Sequence, residues 1–269
     1  MPFEVRKLTP HVGAEILGLD LAAPYDRATA EALRAAFREH HLLLIRQKDL
    51  AAEDQVRFAQ VFGDIVIRGK YKVPPEEALT QYVSNSRADG ILGDGEIEFH
   101  QDHTFYENPL KALILYGVEI PPSGSATKFR NINVMLDRLP EDLRRRAEGV
   151  KVLHLYDYEG DYTRWQDPAK ASANSQRAWQ PLVWTEPETG RKALWAIRVS
   201  AVDFEGVPYE EGRALVEELF EFAAGEEDLT YVHRWQPGDL VIWNNLMLQH
   251  AREPFTTGER RTLRRTPIV

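Results

Sequence analysis

His100 and Asp102 stand two residues apart in Glu96-Ile97-Glu98-Phe99-His100-Gln101-Asp102, a segment that alternates polar and apolar positions. An extended chain puts Glu96, Glu98, His100 and Asp102 on one face, because strand side chains repeat every second residue. An imidazole and a carboxylate so placed can share one metal ion. A second imidazole would complete a two-histidine, one-carboxylate set, which covers one side of an iron(II) ion and leaves positions for a co-substrate and O2. The chain contains no cysteine, which excludes thiolate ligands, disulfides and cysteine nucleophiles, so any metal must use nitrogen and oxygen donors.

The eight histidines leave several candidates for the third ligand. His40 and His41 fall near the end of a predicted helix, where positive charge is favoured and a solvated role is expected. His103 has the wrong strand parity to join His100 and Asp102, His154 sits in an apolar strand as a hydrogen-bonded group, and nothing near His11 or His233 recommends either. His250 remains, closing the run Trp243 to His250 shortly before a cluster of arginines. In Arg260-Arg261-Thr262-Leu263-Arg264-Arg265, a strand places Arg261, Leu263 and Arg265 on one face. Two guanidinium groups beside a metal can grip carboxylates bidentately; a solvated basic tail is the alternative.

These residues need a frame. Asp26 is a candidate N-cap for a helix with Ala30, Leu33 and Phe37 at helical spacing, and Leu42 to Ile45 reads as a buried strand. A second helix is predicted from after Asp49 to Gly63, with Phe58 and Phe62 packing in the core. Ala112 to Val118, Val150 to Leu155, Leu240 to Trp243 and Arg261 to Val269 read as strands. Pro140 opens a short helix ending near Gly149, and Leu215, Leu219 and Phe222 mark an amphipathic helix over Tyr209 to Ala224. Asp157 to Pro181 has no clear period and is expected to be a long loop or lid. Many short strands with a few helices predict a mainly β fold, a sandwich or small barrel with helical cover.

The chain of 269 residues fits one domain spanning 1–269, and with 43% hydrophobic and 28% charged residues it can bury a large core. Its net charge of -9 argues against nucleic-acid or anionic-membrane partners, which select a positive field. No signal-like or membrane-spanning apolar stretch stands out, so a cytoplasmic location is expected.

The motifs in combination resemble the taurine and 2,4-dichlorophenoxyacetate dioxygenase family along nearly the whole chain. The resemblance runs through Leu8 to Ile16, Gly18 to Leu21, Leu42 to Arg46, Phe58 to Gly63, His100-Gln101-Asp102 with Thr104-Phe105, Pro121 to Gly124 leading to Thr127, and Trp243 to His250. It implies a double-stranded β-helix, or jelly roll, with iron(II) held by His100, Asp102 and His250. It also implies 2-oxoglutarate held by Thr127 and Arg261, and O2 as the oxidant. Arg265 matches a position that meets the substrate's sulfonate in the taurine enzyme. Family members often form dimers or tetramers, so a homo-oligomer is possible. The reaction implied is oxidation of an unactivated C–H bond, most simply hydroxylation, with release of succinate and CO2; Asp102 disfavours a halogenase, which leaves that position open.

Several positions depart from the family. Trp243-Asn244-Asn245-Leu246 stands where members often have Trp-Asp-Asn-Arg, and loses a supporting polar contact on this reading. Gln180-Pro181 replaces a His-Pro, Trp184 to Gly190 and Leu194 to Ile197 differ from the usual segments, and no substrate-binding histidine stands near Arg68. Taurine is therefore disfavoured. Arg68, Arg198 and Arg265 can meet a small or medium anionic organic substrate, and Trp165, Trp184 and Trp195 can wall it. Two alternatives use the same residues differently: a metal-free jelly-roll binding module, and a zinc hydrolase with the same three ligands.

Overall fold

Strand Leu42–Arg46 reads Leu-Leu-Leu-Ile before its arginine, and all four apolar side chains are buried. Such a run needs apolar cover on both faces. Leu43 and Ile45 pack with Leu33, Phe37, Phe58 and Phe62, while Leu42 and Leu44 pack with Phe129, Trp243 and Leu263. Each fully buried leucine contributes about 1.5–3 kcal/mol relative to exposure. Helices thus cover one face and a second sheet covers the other.

The computed structural model describes residues 2–68, 79–91, 95–157 and 167–269. Its larger sheet has eight strands in the order β1 (Glu4–Lys7), β2 (Ala14–Leu17), β3 (Leu42–Arg46), β15 (Asp239–Asn244), β7 (Ala112–Glu119), β17 (Thr262–Ile268), β4 (Gln81–Ser84) and β5 (Gly90–Ile91). A four-stranded sheet runs β14 (Thr230–Arg234), β8 (Ala126–Asn131), β16 (Leu248–Arg252) and β6 (Ile97–His100). Three further strands order as β10 (Gln176–Pro181), β9 (Lys151–Tyr156) and β13 (Ala201–Glu205), and β11 (Val183–Thr185) pairs with β12 (Lys192–Leu194). Phe129 of β8 and Leu248 of β16 share a core with residues of β3, β7, β15 and β17, so the two larger sheets face each other.

The helices are α1 (Arg27–His40), α2 (Ala52–Ala59), α3 (Ile132–Arg138), α4 (Glu141–Ala147) and α5 (Tyr209–Gly225). Asp26 caps α1 as its spacing predicts, accepting from the Thr29 amide at 2.7 Å. The solvated role expected for His41 does not hold: it ends α1 at φ 58, is buried, and burial, followed by Arg191 and His40, lowers it to about 4. Helix α2 stops at Ala59, short of Gly63, yet Phe62 still stacks edgewise on Phe37 and Phe58 at 5.1 Å each. The loop expected over 157–181 is shorter, because Gln176–Pro181 pairs with β9; residues 158–166 lie outside the described residues.

Helix α5 lies against β13 at Gly212, where an added Cβ would fall 2.2 Å from Cγ of Phe204. Gly212→Ala should therefore lower stability by about 1–3 kcal/mol through overpacking, despite alanine's better helix propensity. Chemical denaturation would detect the shift; an unchanged or higher midpoint would contradict this packing.

Candidate metal and co-substrate site

Register puts His100, His250, Thr127 and Arg252 of the four-stranded sheet on its inner face. His250 of β16 lies opposite His100 of β6 and opposite Phe129 of β8, and Arg252 lies opposite Thr127. Directly opposed residues in antiparallel strands project to the same side, so His100, His250, Phe129, Thr127 and Arg252 share one face. Phe129 is in the inter-sheet core, which fixes that face as the inner one.

Asp102 completes the group. One ligand atom from each of His100, Asp102 and His250 lies within 4.8 Å of the others, and this is the one such group identified among the described residues. Oδ1 of Asp102 is 3.3 Å from Nε2 of His100 and 3.7 Å from Nε2 of His250. Nδ1 of His100 meets the Glu98 carbonyl at 2.8 Å; a carbonyl only accepts, so Nδ1 carries a proton and Nε2 is the nitrogen turned towards Asp102. Burial, reinforced by His100, lowers His250 to about 3, which keeps that ring neutral. Burial would raise the Asp102 carboxyl, but the Arg265 guanidinium, followed by the contact with His100, outweighs it and holds the group well below the usual carboxylate range. Two imidazoles and one carboxylate on a common side are a donor set that fits a divalent metal with open positions.

Asp102 is anchored twice. Its backbone N–H donates to Oδ1 of Asn245 at 2.8 Å, and Nδ2 of Asn245 donates to the carbonyls of Asp102 at 3.0 Å and Leu110 at 2.9 Å. Nη2 of Arg265 donates to Oδ2 of Asp102 at 2.6 Å, while its Nη1 donates to Oε1 of Gln81. His103 follows at φ 64, a left-handed conformation that costs a non-glycine residue about 1–2 kcal/mol and needs such bracing.

Thr127, on the same inner face, neighbours a buried arginine of the facing sheet. Arg261 is buried, and its Nε donates to Oγ of Ser125 at 2.7 Å, but neither Nη has a hydrogen-bond partner among the described residues. Burial, with Arg252 nearby, lowers the guanidinium to about 9, the mark of a cation short of a counter-ion. Nε1 of Trp235 donates to Oγ1 of Thr127 at 2.9 Å. An indole N–H cannot accept, so the Thr127 hydroxyl hydrogen remains available to a ligand.

On the open side of Asp102 the chain gathers rings. His103 lies 5.5 Å from Phe105 and 5.3 Å from Tyr106, and Tyr156 stacks on Phe105 at 4.8 Å. The Arg68 guanidinium sits 4.7 Å from the Tyr106 ring centre and donates to the Asn108 carbonyl at 2.6 Å. Gln180 reaches in from β10 and donates to the carbonyls of Thr104 at 3.1 Å and Tyr106 at 2.8 Å, bracing this wall.

The structure separates other residues from the site. Register slips by one residue between His250 and Arg252 where β16 meets β6, so strict alternation fails and Glu98 does not share the metal-facing side. Glu98 instead pairs with Arg198 at 3.1 Å, and Arg198 also pairs with Glu217 of α5 at 2.7 Å. Arg198, expected to meet substrate, thus has its charge satisfied by two carboxylates. Trp184 and Trp195 stack on each other at 5.1 Å in a cluster with Ile132, Ala193 and Met247, a packing role and not a substrate wall. Trp165 lies outside the described residues. Within Trp243-Asn244-Asn245-Leu246, the asparagine shared with the family pattern, Asn245, is the one that braces Asp102. Sequence reasoning singled out the segments of Asn245 and Gln180 but not their bracing roles, and it missed Tyr156, which strand β9 brings to Phe105.

No helix among the described residues is long and apolar enough to cross a membrane. Over residues 4–266 the sequence matches the family described as taurine catabolism dioxygenase TauD, TfdA family. It is 30% identical over 283 residues to the alpha-ketoglutarate-dependent 2,4-dichlorophenoxyacetate dioxygenase of Cupriavidus pinatubonensis, covering 97% of this chain and 96% of that one. It is 28% identical over 279 residues to pentalenolactone F synthase of Streptomyces avermitilis, covering 96% and 91%. The crystal structure of a taurine dioxygenase from Burkholderia xenovorans superposes with a TM-score of 0.81 at 27% identity, covering all of this chain and 90% of that one. The facing sheets are accordingly the jelly roll of those enzymes. Fold, full-length match and the clustered histidines and aspartate agree: the chain belongs to the TauD, TfdA family of dioxygenases.

Proposed function

We propose that this chain is an iron(II)- and 2-oxoglutarate-dependent dioxygenase in which His100, Asp102 and His250 hold the metal while Arg261 and Thr127 hold the co-substrate's far carboxylate. The observation that carries the reading is the convergence of two imidazole Nε2 atoms on one oxygen of Asp102, together with a buried Arg261 guanidinium that bonds Ser125, two residues before Thr127, and whose Nη groups have no hydrogen-bond partner among the described residues. When bound, iron(II) with 2-oxoglutarate and O2 supplies the oxidising power for a C–H bond, with succinate and CO2 released. The protein's own work is positional. Arg261 and the Thr127 hydroxyl fix one end of the co-substrate, and Phe105, Tyr106 and Tyr156 wall the space where a substrate carbon would lie.

The substrate is a small or medium organic acid, oxidised most simply to an alcohol. The aromatic wall favours a planar or apolar body, and Arg68 beside Tyr106 is the cation best placed for an acidic end. Relatives named for 2,4-dichlorophenoxyacetate and for pentalenolactone F show how widely substrates vary at this level of identity. A cytoplasmic location, where iron(II) and 2-oxoglutarate are both supplied, belongs to the same reading.

Oxygen uptake coupled to succinate release, screened over carboxylates, sulfonates and sulfate esters with aromatic and aliphatic bodies, tests this directly. Turnover that needs O2, iron(II) and 2-oxoglutarate is expected, fastest with an aromatic carboxylate. Turnover without O2 or 2-oxoglutarate would make the chain a hydrolase, and failure of every acid to stimulate succinate release would overturn the substrate class.

A further inference from the structure

Strand β6 carries His100 but is weakly held within its own sheet. It has four residues, lies at the sheet's edge, and among the described residues pairs with β16 alone, at His100 and Ile97 with an irregularity between them. An edge strand with an interrupted ladder needs support from outside the sheet. That support comes from the face turned away from the metal. Arg130 follows the inward-facing Phe129 along β8 and therefore projects outward. Its guanidinium lies 3.7 Å from the centre of the Phe99 ring and 5.8 Å from that of Phe220 in α5. The Arg198 guanidinium lies 3.6 Å from the Phe220 ring and pairs with Glu98 at 3.1 Å and with Glu217 of α5 at 2.7 Å. Each of the two residues before His100 is thus held by an arginine, and both arginines rest on one ring of α5.

Glu98 links this outer arrangement to the inner face. Its carboxylate meets Arg198, while its backbone carbonyl accepts from Nδ1 of His100 at 2.8 Å. Any shift of Glu98 turns that carbonyl and, with it, the imidazole. Arg130 is a costly residue to keep for packing alone: it is buried, its Nε and Nη1 have no hydrogen-bond partner among the described residues, and burial lowers it to about 10. Contact with the faces of two rings is what offsets that cost. We infer that Arg198 and Arg130 are positioning residues: across Phe220 they clamp β6 to α5 and so fix the carbonyl that orients the His100 ring. Helix α5, distant in sequence from all three ligands, thereby becomes part of the metal site's frame.

The inference rests on the metal reading above, and two measurements let them fail separately. Manganese(II) uptake by the wild-type protein tests the metal reading; no uptake would defeat it, while amide hydrogen exchange in metal-free protein still decides the clamp. Arg198→Met keeps an apolar stem over Phe220 and removes the charge shared by the two glutamates. It is expected to speed exchange severalfold at Phe99 and His100 with β8 unchanged, and to lower manganese affinity roughly 10-fold, at the low end of the range for contacts that support a metal ligand. Arg198→Lys, which keeps a charge within reach of a glutamate, should restore most of both. Arg130→Leu carries the test if Arg198→Met does not fold. It should loosen β6 and weaken manganese binding while global stability holds or rises, because a buried charge without a carboxylate is removed. A role in packing alone would move stability and metal affinity together. Exchange at Phe99 and His100 as slow as in wild type in the folded variants would overturn the clamp, and unchanged manganese affinity despite a loosened β6 would overturn the positioning of His100.

Discussion

His100→Ala should abolish oxygenase turnover and leave a protein that folds. The imidazole supplies one of three donors, and its loss leaves Asp102 and His250 as a two-ligand site. Losing a contact that merely supports a ligand costs roughly 10–100-fold in metal affinity, so losing the ligand itself should exceed that range. Stability should change little, because His100 closes a short strand and its side chain makes two polar contacts, with the Glu98 carbonyl and with Asp102 at 3.3 Å. The measurement is anaerobic titration of iron(II) with 2-oxoglutarate. Wild-type protein should develop a weak visible charge-transfer band, and His100→Ala should show none while keeping its circular dichroism spectrum. A band of wild-type strength in His100→Ala would remove this residue from the ligand set, whatever the activity.

The second large effect concerns Arg261. Arg261→Met should weaken 2-oxoglutarate by about 2–5 kcal/mol, or roughly 30- to 4,000-fold, since truncating one member of a buried charge pair leaves the other unpaired. The same change should leave thermal stability unaltered or raise it. The sign follows from burial: the folded guanidinium is lowered to about 9 from its ordinary value of 12.5, so folding is penalised at every pH below about 9, and the penalty is relieved only as pH rises through that value. At pH 7 the penalty is fully present, and methionine removes it while filling most of the volume. Ligand-induced stabilisation offers the check. Wild-type protein with metal should gain about 2.7 kcal/mol when 2-oxoglutarate reaches 100 times its Kd, and Arg261→Met should gain almost nothing at that concentration. A stability loss with unchanged co-substrate affinity would show instead that Arg261 is a structural cation of the Ser125 corner.

Residues that act through local chemistry were legible in the sequence. The Asp26 cap, the continuous apolar run of β3 and the pairing of Phe58 with Phe62 follow from backbone hydrogen bonding and apolar burial, which neighbouring residues largely decide. The His-x-Asp spacing was enough to suggest a metal pair. The third ligand was not readable from spacing, because His250 meets His100 only through the pairing of two strands 150 residues apart in the chain.

The failures share a cause. Strand alternation placed Glu98 beside His100, but a one-residue slip against β16 turned it towards Arg198; register belongs to two strands and neither sequence alone contains it. Arg198 and Arg265 look alike as arginines of suitable position, and only the folded chain gives one a pair of glutamates and the other the metal-facing aspartate. A long cationic side chain reaches many partners, so its role is set by which carboxylate packing brings within about 3 Å and how far burial strengthens that choice. By itself, the sequence determined the element types, the absence of thiolate chemistry, and a nitrogen-and-oxygen donor pair at His100 and Asp102. The tertiary structure decided which histidine joins them, which oxygen of Asp102 faces them, and which arginine is buried beside Ser125 and Thr127. Those choices depend on contacts between distant strands, and their energies exist only once the sheets have closed on each other.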